Sequence, residues 1–92
     1  MAKTSKTGNQ PIQDSEKAGK DPDLVALGRQ LAALREEAKM TQESLADASG
    51  LHWTYVGQVE RGERNLSYRN LLKLARGLKR NAAELVPPTA GD

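Results

Sequence analysis

Between Thr41 and Gly62 the chain places small and β-branched residues at intervals that few folds satisfy together. Counting from Gln42, alanine stands at the fifth place (Ala46), glycine at the ninth (Gly50), and valine at the fifteenth and eighteenth (Val56 and Val59). Two short helices that cross near a right angle over a tight turn need a small side chain where they touch, and Ala46 supplies it. The turn between them needs a residue that tolerates a positive φ, which Gly50 does cheaply. Val56 and Val59 lie three apart, so on a helix they share one face and are expected to point inward. Trp53, Thr54, Gly57 and Gln58 are then pushed toward the outer faces of the same helix.

The flanking segments extend this unit into a helical domain. Thr41 is placed to cap a short helix running through Ala48, with Leu45 and Ala46 inward, and a further helix fits His52 to Arg61 with Gly62 as its left-handed stop. Upstream, Asp21-Pro22-Asp23 combines an acidic N-cap, a proline at the first helical position and another acid in the first turn, all of which favour helix initiation. Leu24, Leu27, Leu31 and Leu34 follow at spacings of three and four, which makes one apolar stripe. Ser67 is placed to cap a fourth helix carrying Leu71, Leu72, Leu74, Ala75 and Leu78. Asn81-Ala82-Ala83-Glu84 has an N-cap residue with Glu three places on, and predicts a short fifth helix that Pro87 and Pro88 stop. No segment alternates with period two for long enough to argue a strand. The expected fold is all-α, a compact five-helix bundle.

At 92 residues the chain has room for one such domain, and its aliphatics are concentrated between Leu24 and Val86. The domain is expected over residues 22–88, with a disordered N-terminal arm at 1–21 and a disordered end at 89–92. Almost no apolar surface is present in the arm to offset the roughly 1–2 kcal/mol that ordering each residue costs. It reads as a solubilising tail, with an arm for a DNA groove as the alternative. There is no cysteine, hence no disulfide framework or thiolate metal site, and no run long enough for a signal peptide or membrane span. A cytoplasmic protein without metal or cofactor is expected. One histidine and surface carboxylates provide no nucleophile–base pair, so enzyme activity is not expected. The net charge of +2 is small, but its distribution is uneven. Residues 23–51 set Arg29, Arg35 and Lys39 against five carboxylates, whereas from His52 to Arg80 seven cations face only Glu60 and Glu63. Such an asymmetry can supply a footprint for a polyanion.

Four stretches, Thr41-Gln42-Glu43-Ser44-Leu45-Ala46, Gly50, Val59-Glu60-Arg61-Gly62 and Leu71-Leu72-Lys73-Leu74-Ala75, resemble the XRE family of helix-turn-helix regulators, which includes the phage repressors and Cro. The resemblance covers about residues 27–85. It implies a lambda-repressor-like fold and a transcriptional regulator whose helix at 52–61 enters the major groove of double-stranded DNA. Under it, Gln42 holds a phosphate, while Trp53, Thr54, Gly57 and Gln58 face base edges. Gln58 could read adenine through N6 and N7, the Thr54 methyl could touch a thymine methyl, and Gly57 would let the backbone approach closely. His52 stands near a phosphate, at a place where the family often has a serine or threonine cap and where imidazole is a poorer one. Trp53 is bulky and donor-only, suited to sugars and thymine methyls or else to a protein partner. Arg61, Arg64, Asn65, Tyr68 and Arg69 fall in a second phosphate-contacting segment, which fixes register without reading sequence. Glu60 is paired with Arg35 in a partly buried ion pair that ties the reading helix to the scaffold. One such motif reads a half-site, so a homodimer on a palindromic operator is expected, with the fifth helix and Leu85-Val86 in the contact. The alternative use of the same bundle is a protein-interaction module, an antitoxin or anti-repressor anchored by Trp53 and Tyr55.

Overall fold

The computed structural model describes residues 21–88, and the expected N-terminal arm up to residue 20 and the end at 89–92 lie outside the described residues. Each helix begins where side-chain chemistry can satisfy its orphan amides. Helix α1 (Pro22–Glu37) starts at an Asp21 cap, whose carboxylate accepts from the Asp23 amide at 2.8 Å, with proline at the first position. Helix α2 (Gln42–Ser49) starts at Thr41 with a reciprocal box: the Thr41 hydroxyl accepts from Ser44 N–H, and Ser44 Oγ accepts from Thr41 N–H, each at 2.9 Å. It ends at Gly50, whose φ of 72° is the left-handed turn the spacing required. Helix α3 (Trp53–Glu60) is capped by His52, and helix α4 (Tyr68–Leu78) by Ser67.

The expected fifth helix is a single 3-10 turn, Ala82–Leu85, so the described bundle has four α-helices. Asn81 makes no side-chain cap bond there, and Pro87 and Pro88 leave no room for a second turn. The turn still has a packing task. Leu85 is fully buried, Gln30 Nε2 of α1 donates to the Glu84 carbonyl at 2.7 Å, and Arg80 joins Glu37 of α1 to Glu84.

The core is built from Leu31 and Leu34 of α1, Leu45 and Ala46 of α2, Val56 and Val59 of α3, Leu74, Ala75 and Leu78 of α4, and Leu85. Each of its six fully buried large aliphatics contributes about 1.5–3 kcal/mol of transfer free energy. The leucine stripe of α1 divides: Leu31 and Leu34 enter the core, while Leu24 and Leu27 are only half-buried. Those two line an apolar groove of about 410 Å³ with Leu66, Leu71, Val86 and the two closing prolines. Helix α2 packs on α3 and α4, and α1 packs on α3, so α3 is supported from both sides.

Candidate nucleic-acid interface

Helix α3 has an inner face of Val56 and Val59, fully or almost fully buried, and an outer face on which Trp53 is 52% exposed, Thr54 is exposed and Gln58 is half-buried. Its start is set by His52. The ring Nδ1 accepts from the Thr54 amide at 3.1 Å, so imidazole here performs the capping that the sequence assigned to it only poorly. An accepting Nδ1 puts the proton of a neutral ring on Nε2, which remains as the donor expected near a phosphate. The imidazole also stacks on the Trp53 indole, with centroids 6.0 Å apart.

The other end of α3 is tied to the scaffold through Glu60. Arg35 of α1 donates from Nε to Oε2 at 2.7 Å and from Nη2 to Oε1 at 3.1 Å, a two-point contact between side chains 14% and 6% exposed. The remaining Nη1 donates to the Met40 carbonyl at 2.9 Å, fastening the α1–α2 link. The hydrogen bond to Glu60 raises the Arg35 pKa further above its ordinary value, against the opposing effect of burial. Gln42 completes the cluster by donating from Nε2 to Glu60 Oε1 at 2.9 Å. A carboxylate has acceptors only, so this bond also fixes which way the Gln42 amide faces. This bond engages one hydrogen of Nε2 and leaves the second for another acceptor.

Gly57 lies elsewhere than the sequence placed it. It is buried, and a Cβ there would stand 3.1 Å from Arg61 Nη1 and 3.3 Å from Gln42 Oε1. Its small size makes room for the Gln42 side chain, a packing partner from α2 that no spacing within α3 could indicate. The loop after α3 supplies Arg64 and Asn65, both exposed, and α4 opens with Tyr68, 73% exposed, and exposed Arg69. Arg61 is paired with Glu63 at 3.1 Å, and Arg80 with two carboxylates, so the basic half of the chain presents less unpaired charge than its count implies.

Two supports of α3 went unmarked in the sequence reading. Gly28 of α1 lies where a Cβ would collide with the backbone carbonyl oxygens of Val59 and Glu60. Its place within the leucine stripe, four after Leu24 and three before Leu31, was the available signal. The other is Tyr55, named from the sequence only as an anchor for a protein partner: it is half-buried against the core, and the Arg64 guanidinium sits over its ring at 5.4 Å, a tertiary contact without a local signature.

A short capped helix, a glycine turn and a second helix with a buried inner face and an exposed polar outer face define the helix-turn-helix class of DNA-binding proteins. Residues 31–85 match the helix-turn-helix family model, and the chain belongs to that family as an XRE-type DNA-binding transcriptional regulator. It is 40% identical over 60 residues to control protein C.SmaI of Serratia marcescens, covering 65% of this chain and 71% of that one. An HTH-type regulator of Sinorhizobium fredii, y4dJ, is 40% identical over 63 residues, covering 68% and 82% of the two chains. Among solved structures, the restriction-modification controller protein C.AhdI of Aeromonas hydrophila superposes with a TM-score of 0.70 at 49% identity, over 71% of this chain and 98% of that one.

Proposed function

We propose that the protein binds double-stranded DNA sequence-specifically as a homodimer, with α3 in the major groove, and that it acts in the cytoplasm by binding alone, without catalysis. The observation that carries this is the outer face of α3. Trp53, Thr54 and Gln58 stand outward on a helix whose position is held by buried valines and by the Arg35–Glu60 pair. In this arrangement Trp53, Thr54 and Gln58 contact base edges, and Gln42, His52, Arg61, Arg64, Asn65, Tyr68 and Arg69 contact phosphates. Gly57 serves them from below by seating Gln42. The similarity to C.AhdI supports control of restriction–modification genes as the biological task.

For self-association we propose a surface that keeps Val86 from the contact the sequence suggested and leaves out Leu85. Leu85 is consumed by the core of its own chain, whereas Val86 is 53% exposed at the rim of the apolar groove with Leu24, Leu27, Leu66 and Leu71. This groove is the face proposed to meet a second copy.

Selection of bound duplexes from random DNA, followed by analytical ultracentrifugation with the selected duplex, tests the whole reading. Two half-sites in inverted repeat and two chains per duplex are expected. Three arginines per chain at phosphates give six per dimer, so log affinity should fall against log salt with a slope of about −5. Unselected sequences, one chain per duplex or a flat salt response would refute it.

A further inference from the structure

Arg64 lies beyond the end of α3, yet its Nε–H reaches back to the helix and donates to Gln58 Oε1 at 3.0 Å. Its guanidinium carbon is 5.4 Å from the centroid of the Tyr55 ring, which lies three residues before Gln58 on the same helix. One nitrogen of the guanidinium is thus held by a hydrogen bond and the group lies over an aromatic ring, so it has a defined place. The orientation of the amide follows from chemistry. Arginine has donors and no acceptor, so the Gln58 atom that meets it must be the carbonyl oxygen. The amide nitrogen, with its two hydrogens, is the end left for a base edge.

We infer that Arg64 is a positioning residue for Gln58, holding its carbonyl oxygen so that the side chain enters the major groove as a hydrogen-bond donor and prefers guanine to adenine at its base pair. Bidentate reading of adenine needs both ends of the amide, the oxygen for N6–H and the nitrogen for N7. Arg64 occupies one of the two lone pairs of that oxygen and fixes its direction, so accepting from N6 as well requires the other lone pair to meet the base edge in that same orientation, or the charge-assisted bond to be given up. Guanine shows two acceptors, N7 and O6, and makes no demand on the oxygen. On this inference guanine replaces the adenine expected for Gln58 from its residue type alone, and Arg64 takes a part in sequence preference beside its charge. The inference rests on the proposed seating of α3 in the major groove.

The test uses the full chain and a duplex selected from random DNA. The base pair whose preference disappears in Gln58→Ala is first located, and affinities for all four pairs at that place are then measured by fluorescence anisotropy. Wild type, Arg64→Ala, Gln58→Ala and the double variant are compared. Wild type is expected to favour guanine over adenine there by roughly 5- to 100-fold. Arg64→Ala should lose or invert that preference while leaving those at other base pairs in place. In the Gln58→Ala background, the same substitution should weaken every duplex alike. An adenine preference in wild type, or an Arg64→Ala effect equal on all four pairs, overturns the inference while leaving DNA recognition by α3 standing. A wild type that selects no sequence overturns both. Arg64 is exposed and Gln58 partly so, and unchanged thermal unfolding of the variants confirms that the preference is being read on a folded protein.

Discussion

Replacing Glu60 by alanine is expected to unfold much of the population at temperatures the parent survives, because one side chain holds three elements together. Its carboxylate accepts two bonds from Arg35 and one from Gln42, at 2.7, 3.1 and 2.9 Å, and the side chain is only 6% exposed. Glu60→Ala leaves the Arg35 guanidinium, 14% exposed, with the Met40 carbonyl and the distant Glu36 carboxylate, 3.8 Å away. Breaking one partner of a buried ion pair costs about 3–5 kcal/mol. Partial access of water to Arg35 puts the loss near the lower end, ~3 kcal/mol, against a total stability of about 5–15 kcal/mol for a domain of ordinary stability. At about 4–8 °C per kcal/mol for a domain of this size, the midpoint should fall by roughly 12–24 °C. Thermal and urea unfolding followed by circular dichroism measure this directly. Adding Arg35→Met to Glu60→Ala removes the stranded charge and should restore a large part of the loss, a coupling of about 2 kcal/mol. A fall below about 4 °C for the single variant, or simple additivity in the double one, would refute the structural role assigned to the pair.

Gly28→Ala should cost about 1–3 kcal/mol despite the better helix propensity of alanine, since the added methyl meets the Val59 and Glu60 carbonyls, which are backbone and cannot rotate aside; urea titration is the check, and an unchanged midpoint would count against the close contact. Ser49→Ala should raise stability by roughly 1 kcal/mol, because its buried Oγ has no hydrogen-bond partner in the structure. A loss in the same assay would show that the hydroxyl is satisfied. Gly57→Ala should leave stability level or raise it by about 0.5–1 kcal/mol while weakening DNA, since its methyl displaces the ends of the Gln42 and Arg61 side chains rather than backbone. Anisotropy titration beside a melting curve separates the two effects, and DNA affinity equal to wild type would count against Gln42 as a phosphate contact.

What could be read from the chain was what its own near neighbours decide. The caps at Asp21, Thr41 and Ser67 involve partners two or three residues away, and the turn at Gly50 depends on its own φ, so each was visible in residue type and spacing. The valine pair of α3 was visible for the same reason. Residues that end helices without a signature were not: Lys39 and Lys79 adopt φ of 62° and 59°, and nothing in a lysine marks a left-handed backbone. Gly57 was misplaced because the groups covering it come from Gln42, fifteen positions away, as well as from Arg61 on the next turn. The resemblance supplied the Arg35–Glu60 pair across 25 positions, whereas the Gln58–Arg64 bond depends on the course of a loop that spacing does not specify.

The two ends of α3 are held by unequal means. At the Glu60 end, α1 presses its backbone at Gly28 against the helix and grips the carboxylate with Arg35, while at the other end the first turn is set locally, by the imidazole and the carbonyl of His52. A rod clamped at one end adapts only at the other. With α3 seated in the major groove as proposed, departures of an operator from ideal groove geometry are expected to be absorbed around Trp53 rather than nearer Glu60, where the DNA would have to bend to the protein. Base pairs that the helix never touches would then be selected for their pliability, through the energy of deforming the duplex.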